Sequence, residues 1–310
     1  MSAAPVQGRT AATAAAVEGV TIVHLSDVHF GVHCDLLQIE AIEEHLPRLG
    51  ARAVVVSGDL SQRARHGELQ RARVFVRQME RLAPTLVIPG NHDVQWWASP
   101  LHLRGTRPLY RKYRQYFGED LTPVLRVPGA VIAGALTSYG IAPGSLTWNL
   151  RDLAVKGHLP KSETDRVSGI FQQAAPGDAR VLVMHHNVLP GKISRRMGLA
   201  HWRSAQRRIE ATGADVVLCG HDHQEGAGEL GITAISSSGT HSSRMRGGRP
   251  SVFNLVRVDA RAVHIQHFRW EASGRRFLPA DAYSFARRPA VGRGAATPAV
   301  SVAGGDDPQL

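Results

Sequence analysis

Asp27 and His29 stand two residues apart where the apolar run VTIVHL ends, and His221 and His223 flank Asp222 where ADVVLC ends. Between them come Asp59 after Gly58, the tetrad Gly90-Asn91-His92-Asp93, and His185 closing RVLVMH. These clusters offer carboxylate, amide and imidazole groups and no thiolate. Such a donor set suits Mn, Fe, Co or Zn in a reactive site rather than a structural thiolate zinc site. In an extended segment alternate residues point the same way, so Asp27 with His29, and His221 with His223, can each grip a common centre. Glycine before Asp59, Asn91 and His221 lets the main chain turn sharply and come close to a ligand.

The runs that deliver these clusters share one grammar. VTIVHLSDVHFG, ARAVVVSGDLSQ, PTLVIPGNHD, RVLVMHHN and ADVVLCGHDH each begin β-branched or Leu-rich with little alternation. That is the pattern of strands covered on both faces. In open α/β sheets ligands bind beyond the carboxyl ends of the strands, so clusters scattered in sequence converge in space. Helices fill the gaps. Leu69, Ala72, Val76, Met79 and Leu82 form an apolar stripe at helical spacing, residues 162–175 open on Ser162 as a cap, and residues 202–212 close at Gly213. After residue 230, ITAISS, SVFNLVRV and AVHIQHFRW predict an antiparallel second sheet. Residues 1–18 and 288–310 are rich in Ala, Gly, Pro and Ser without periodicity, and read as mobile tails around a domain at 19–287.

Composition narrows the partner. The 310 residues are 43% hydrophobic and 20% charged, enough to bury a large core, and 37 Lys and Arg against 26 acids give a formal charge of +11. An anionic partner follows: a phosphate ester, a nucleotide, nucleic acid or an acidic surface. Only Cys34 and Cys219 are present, far apart, which favours a reducing compartment, the cytoplasm, over a secreted disulfide scaffold. No apolar run is long enough to predict a membrane span.

The motifs DxH, GD, GNHD, H and GHxH, in this order and at strand ends, resemble the calcineurin-like metallophosphoesterases, most closely bacterial enzymes similar to class III cyclic-nucleotide phosphodiesterases. The resemblance spans about residues 20 to 270. It implies a four-layered αββα sandwich of two mixed β-sheets flanked by helices. It also implies a dinuclear centre of divalent or trivalent Mn, Fe, Zn or Co. Asp27, His29, Asp59 and His223 would hold one metal, and Asp59, Asn91, His185 and His221 the other, with Asp59 bridging. A water shared by the metals would attack phosphorus. His92 would protonate the leaving oxygen or stabilise the transition state, and Asp93 would orient His92 or another imidazole. His185 rather than His186 is the ligand by alignment, with Asn187 where the family often has proline. The implied activity is hydrolysis of a phosphodiester of small nucleotide type; the alternatives are a nuclease using the same centre and a non-catalytic scaffold.

Past GNHD, the segment VQWWASPLHLRGTRPLYRKYRQYF carries Trp96, Trp97, Arg104 and Arg107. Because it leaves directly from Asn91 and His92, it is expected to rim the substrate cleft, with a Trp shaping the pocket and an Arg on a second acidic group. The loop of Lys192, Arg195 and Arg196 is the other source of specificity. His24, His33 and His241 read as structural or solvent-facing, and Cys219 as a small core residue.

Overall fold

The computed structural model describes residues 19–95, 98, 107–141, 155–245 and 247–287. The chain begins a first sheet with β1 (Val20–Leu25), crosses through α1 (Leu36–His45) to β2 (Ala53–Val56), and crosses again through α2 (His66–Leu82) to β3 (Thr85–Val87). These three strands run parallel. Helix α3 (Arg111–Phe117) leads to a second sheet, which opens as an antiparallel hairpin of β4 (Val124–Val127) and β5 (Ala130–Gly134). It continues through α4 (Lys161–Gln172), β6 (Ala179–Val183), α5 (Trp202–Ala211), β7 (Val216–Cys219), β8 (Gly226–Leu230) and β9 (Thr233–Ser237). The chain then returns to the first sheet as β10 (Val252–Val258), β11 (Ala262–Glu271) and β12 (Arg276–Ala286). The strand orders are β12-β11-β10-β1-β2-β3 and β4-β5-β6-β7-β9-β8.

Three apolar layers hold four structural layers together. Ile22, Ala53 and Val55 of the first sheet join Val181, Val183, Val216 and Leu218 of the second in one buried cluster. Their neighbours Val23, Leu25, Val54 and Val56 instead join Ile42 of α1 and Phe75, Val76 and Met79 of α2. On the other side Leu182, Val217 and Cys219 join Val167 and Phe171 of α4 and Ala205 and Ile209 of α5. The two-residue period of each central strand therefore feeds both faces, which is why these runs are apolar without alternation. Each large side chain so buried contributes roughly 1.5–3 kcal/mol. The order is helix, sheet, sheet, helix, as the motifs imply.

Three sequence expectations are corrected. Leu82 is 43% exposed and Phe75, at 1%, completes the α2 stripe instead. Ser162 lies inside α4, whose N-cap is Pro160. The strands after residue 230 form no separate sheet: β9 joins β7 in parallel, while β10 pairs antiparallel with β1. Pairing partners are set by long-range packing, which a strand's own pattern does not encode. Helix α5 does end before Gly213, which has φ +75. Both tails lie outside the described residues. No helix among the described residues is long and apolar enough to cross a membrane.

Candidate metal centre

The carboxyl ends of β1, β2, β6 and β7, and the turn after β3, bring Asp27, His29, Asp59, Asn91, His185, His221 and His223 together. Alternation in an extended segment does not achieve this. Among the described residues nine non-glycine positions take a left-handed φ, and five of them are Asp27 (53°), His29 (50°), Asp59 (51°), His221 (74°) and His223 (56°). This backbone is disfavoured by about 1–3 kcal/mol per residue and persists where surrounding structure over-determines it. Glycine supplies the closeness. A methyl group at Gly90 would collide with Asp59 Oδ1 and its amide nitrogen, and one at Gly220 with Ser26 Oγ and Asp27 Oδ2.

One oxygen of each carboxylate is tied down and the other is aimed inward. Asp27 Oδ2 accepts from the His221 amide at 2.9 Å, and Asp59 Oδ1 from the His92 amide at 2.8 Å. The free oxygens meet imidazoles: Asp27 Oδ1 lies 3.3 Å from His223 Nε2, and Asp59 Oδ2 lies 3.3 Å from His185 Nε2 and 3.8 Å from His29 Nε2. Two groups capable of holding a metal ion result, Asp27-His29-Asp59-His223 and Asp59-His185-His221, with ligand atoms within 4.8 Å of one another in each. Asp59 belongs to both. Asn91 Oδ1 adds a contact to the second group, 3.0 Å from His185 Nε2 and 2.9 Å from His221 Nδ1.

Main-chain carbonyls fix the tautomers. His185 Nδ1 lies 2.9 Å from the Ser57 carbonyl, and His223 Nδ1 lies 2.9 Å from the Arg244 carbonyl. A carbonyl only accepts, so each Nδ1 carries a proton and, in the neutral ring, each Nε2 turns a lone pair inward. That lone pair of His223 meets His29 Nε2 at 2.9 Å, while that of His185 faces the Asn91 carbonyl oxygen. Asp27 Oδ1 and His29 Nδ1 are buried without a hydrogen-bond partner. A buried cluster of converging acceptors is unfavourable unless cations sit among them. The residues fit a metal pair.

Burial and charge set the titration of the cluster. Burial pushes the Asp27 carboxyl up, but the His223 and His185 imidazoles beside it, which take up protons in the absence of metal, hold it below the usual carboxylate range. Burial, helped by the neighbouring His223 and His92 imidazoles, drives His29 down to about 3 against the pull of Asp59 and Asp27. His185 is raised to about 9, because the charge and hydrogen bond of Asp59 outweigh its burial. Without a metal, protons take the place that cations would fill.

His92 lies beside this centre, its ring edge-on to His29 at a centroid distance of 4.8 Å. Its Nδ1 donates to the Gln62 carbonyl at 2.8 Å, and its Nε2 accepts from Arg244 Nη1 at 3.1 Å. Asp93, expected to orient an imidazole, does something else. Its carboxylate accepts from the amides of Leu60 (3.1 Å), Ser61 (2.8 Å) and Gly90 (2.9 Å) and from Ser61 Oγ (2.7 Å). It stitches the Asp59 loop to the GNHD turn. Burial and the Asp59 charge raise its pKa to about 6.

His186 turns away from the centre. Its Nε2 donates to the Val155 carbonyl at 3.0 Å and its Nδ1 accepts from Thr137 Oγ1 at 2.8 Å. Asn187 donates to the carbonyls of Leu189 (2.8 Å) and Arg196 (3.0 Å), closing the loop where a proline was the usual residue. Trp96, Trp97 and Arg104 lie outside the described residues. Arg107 is exposed at the start of a 3-10 helix, its carbonyl accepting from Arg114 at 3.2 Å. Arg244 escapes the sequence reading because SSRMRGGRP contains no motif and three arginines of equal standing.

The model of the calcineurin-like phosphoesterases matches residues 20–225, and the chain belongs to that family. Among solved structures, the purple acid phosphatase PPD1 from yellow lupin (Lupinus luteus) seeds superposes with a TM-score of 0.60 at 13% identity, covering 87% of this chain and 54% of that one. The chain thus spans about half the length of the lupin enzyme. GAP50, the anchor in the inner membrane complex of Plasmodium, superposes with a TM-score of 0.53 at 11% identity, covering 87% and 89%. These likenesses show the fold. No curated protein sequence matches.

Proposed function

We propose that this chain is a dinuclear-metal phosphodiesterase acting on a cyclic nucleotide or another small nucleotide-type ester. The observation that carries this reading is the convergence of Asp27, His29, Asp59 and His223, and of Asp59, His185 and His221, into two groups whose ligand atoms lie within 4.8 Å of one another and which share Asp59. A bound pair of Mn, Fe, Zn or Co ions would supply Lewis acidity and bring a water to ionise near neutral pH. Asp59 is the residue the two sites share. Asp27, His29 and His223 complete one site; Asn91, His185 and His221 complete the other. The Ser57 and Arg244 carbonyls keep two imidazoles in the tautomer that binds metal. His92, carrying a second proton on Nε2 in place of the Arg244 contact, would hand that proton to the leaving oxygen or steady charge there. The basic composition suits an anionic substrate, and the free thiols of Cys34 and Cys219 suit a reducing compartment such as the cytoplasm.

The deciding experiment loads purified protein with Mn²⁺ and presents cyclic nucleotides, aryl phosphodiesters, phosphomonoesters and single- and double-stranded DNA. Diester turnover above monoester turnover supports the proposal. Cleavage of DNA alone makes the protein a nuclease, and no turnover of any ester with metal bound makes it a scaffold.

A further inference from the structure

Arg244 is tied to the centre twice, once by its main chain and once by its side chain. Its carbonyl accepts from His223 Nδ1 at 2.9 Å, and its guanidinium donates to His92 Nε2 at 3.1 Å. The loop that carries it, between β9 and β10, is clamped onto the loop after β1. Thr240 Oγ1 donates to the Asp27 carbonyl at 2.6 Å, the Ser243 amide donates to the His33 carbonyl at 2.8 Å, and Cys34 pairs with Ser242 in an isolated bridge. A long, otherwise mobile side chain is therefore launched from a fixed point. It arrives at a ring that itself stacks edge-on against His29.

The charge at that point has no structural use in view. Among the described residues no carboxylate forms an ion pair with Arg244, although Glu225 nearby in sequence pairs with Arg249 at 2.7 Å and with Arg269 at 3.4 Å. A guanidinium has five N–H donors in a planar fork, and one of Arg244's is engaged within the described residues. The remaining donors can meet phosphate oxygens in pairs. Arg244 is half-buried, which strengthens such a contact relative to a fully solvated one.

We propose that Arg244 is a phosphate-binding residue, gripping a non-bridging oxygen of the substrate's phosphate from the His92 side of the centre. The proposal rests on the phosphoesterase reading for its substrate, but phosphate binding can be measured without turnover. His92 then has a guanidinium partner before substrate arrives, and the guanidinium turns to the phosphate afterwards, which frees His92 Nε2 for the leaving oxygen. Truncating the side chain leaves the carbonyl that positions His223, so metal binding should survive.

The test measures inorganic phosphate binding to the Mn²⁺-loaded full chain by calorimetry, for the parent, Arg244→Ala and Arg244→Lys. Elemental analysis and thermal midpoints are taken on the same samples. Arg244→Ala should weaken phosphate roughly 10- to 100-fold, the worth of a charge-assisted hydrogen bond, with metal content and midpoint held. Arg244→Lys should recover part of the loss. With an aryl phosphodiester, KM should rise more than kcat falls. Equal phosphate affinity in parent and Arg244→Ala overturns the proposal, as does a parent that binds no phosphate. A fall in kcat with KM and phosphate affinity intact also overturns it, since Arg244 then acts only through His92. Failure of the parent to hydrolyse any ester, with Arg244-dependent phosphate binding present, counts against the phosphoesterase reading alone.

Discussion

Two groups of buried histidines occupy this fold, and their polar atoms are resolved in opposite ways. Between the sheets, His24 Nε2 lies 2.9 Å from Ser57 Oγ and its Nδ1 lies 3.2 Å from Ser236 Oγ. Ser236 Oγ also accepts from Asn254 Nδ2 at 2.9 Å, and Asn254 Oδ1 accepts from His267 Nδ1 at 2.7 Å. One proton assignment satisfies every atom of that chain: His24 donates from Nε2, and Ser236 donates to Nδ1. At the strand ends the same residue types crowd around carboxylates instead: Asp27 Oδ1 and His29 Nδ1 are buried without a hydrogen-bond partner, and His185 Nε2 faces Asn91 Oδ1 at 3.0 Å. The difference separates structural histidines from the proposed ligand histidines more sharply than burial does, since His24, His29 and His185 are all 0% exposed.

The largest expected effect breaks the unmatched group. Asp59→Ala should remove most bound metal and bring phosphoesterase activity to background, because Asp59 belongs to both ligand sets. Asn91→Ala should lose mainly one ion. In chelator Asp59→Ala should also melt below the parent, because it removes the charge that holds the His185 proton and the acceptor of the His92 amide. With Mn²⁺ at about 100 times its dissociation constant the parent alone should gain roughly 2.7 kcal/mol. A full complement of two ions in the Asp59→Ala protein, by elemental analysis, sinks the shared-ligand assignment.

His92 comes next. Replacing it by Ala should cost on the order of 10²- to 10⁴-fold in turnover, the range for a general acid, while leaving metal bound. The loss should shrink for esters with good leaving groups such as nitrophenolate. Equal losses across leaving groups would show that His92 positions phosphate rather than moving a proton.

The buried histidines away from the centre, the matched pair His24 and His267 together with His241, predict an effect on stability instead. Burial holds neutral His24 at about 3, His241 at about 4 and His267 at about 4, against an ordinary 6.5. Their folded pKa values lie below the unfolded one, so between pH 6.5 and about 4 the unfolded chain binds more protons. Stability therefore falls as pH drops through that window, by up to roughly 3 kcal/mol for each histidine. Urea midpoints at pH 7 and pH 5 measure it. A midpoint that does not move, or rises, on acidification means these imidazoles are not buried neutral.

How far such distinctions are legible in sequence depends on what each residue needs. The seven proposed ligand positions stand out because polar, metal-competent types gather at the ends of apolar runs, three of them, Asp59, Asn91 and His221, directly after glycine, and strand ends converge by architecture. The left-handed backbones of five of them leave no comparable mark: Asp and His tolerate that conformation without advertising it, and only the packed fold enforces it. Asp93 misled for a related reason. A carboxylate beside a histidine suggests an orienting partner, whereas the Leu60 and Ser61 amides that claim it belong to a loop some thirty residues away in sequence. Sheet membership and Arg244 likewise depend on contacts between distant segments.

His241 fits neither group, and that makes it the finest test of the comparison. It is 0% exposed, stands edge-on to Phe277 at 5.9 Å, and both ring nitrogens lack a hydrogen-bond partner among the described residues. Its amide reaches the Asp27 carbonyl at 3.3 Å, so its main chain braces a ligand loop while its ring fills apolar space. If matched polar atoms mark structural histidines and crowded acceptors mark ligands, a ring with neither should be dispensable as an imidazole. His241→Leu is then expected to raise stability by about 1 kcal/mol at pH 7, a lower figure for a desolvated polar group, and by more at pH 5, where protonation of the unfolded histidine no longer contributes. Metal content and turnover should not change. A loss of turnover with metal and fold retained would mean that an unpartnered imidazole near Asp27 serves the site itself, and the pairing of polar atoms would no longer suffice to sort the histidines of this fold.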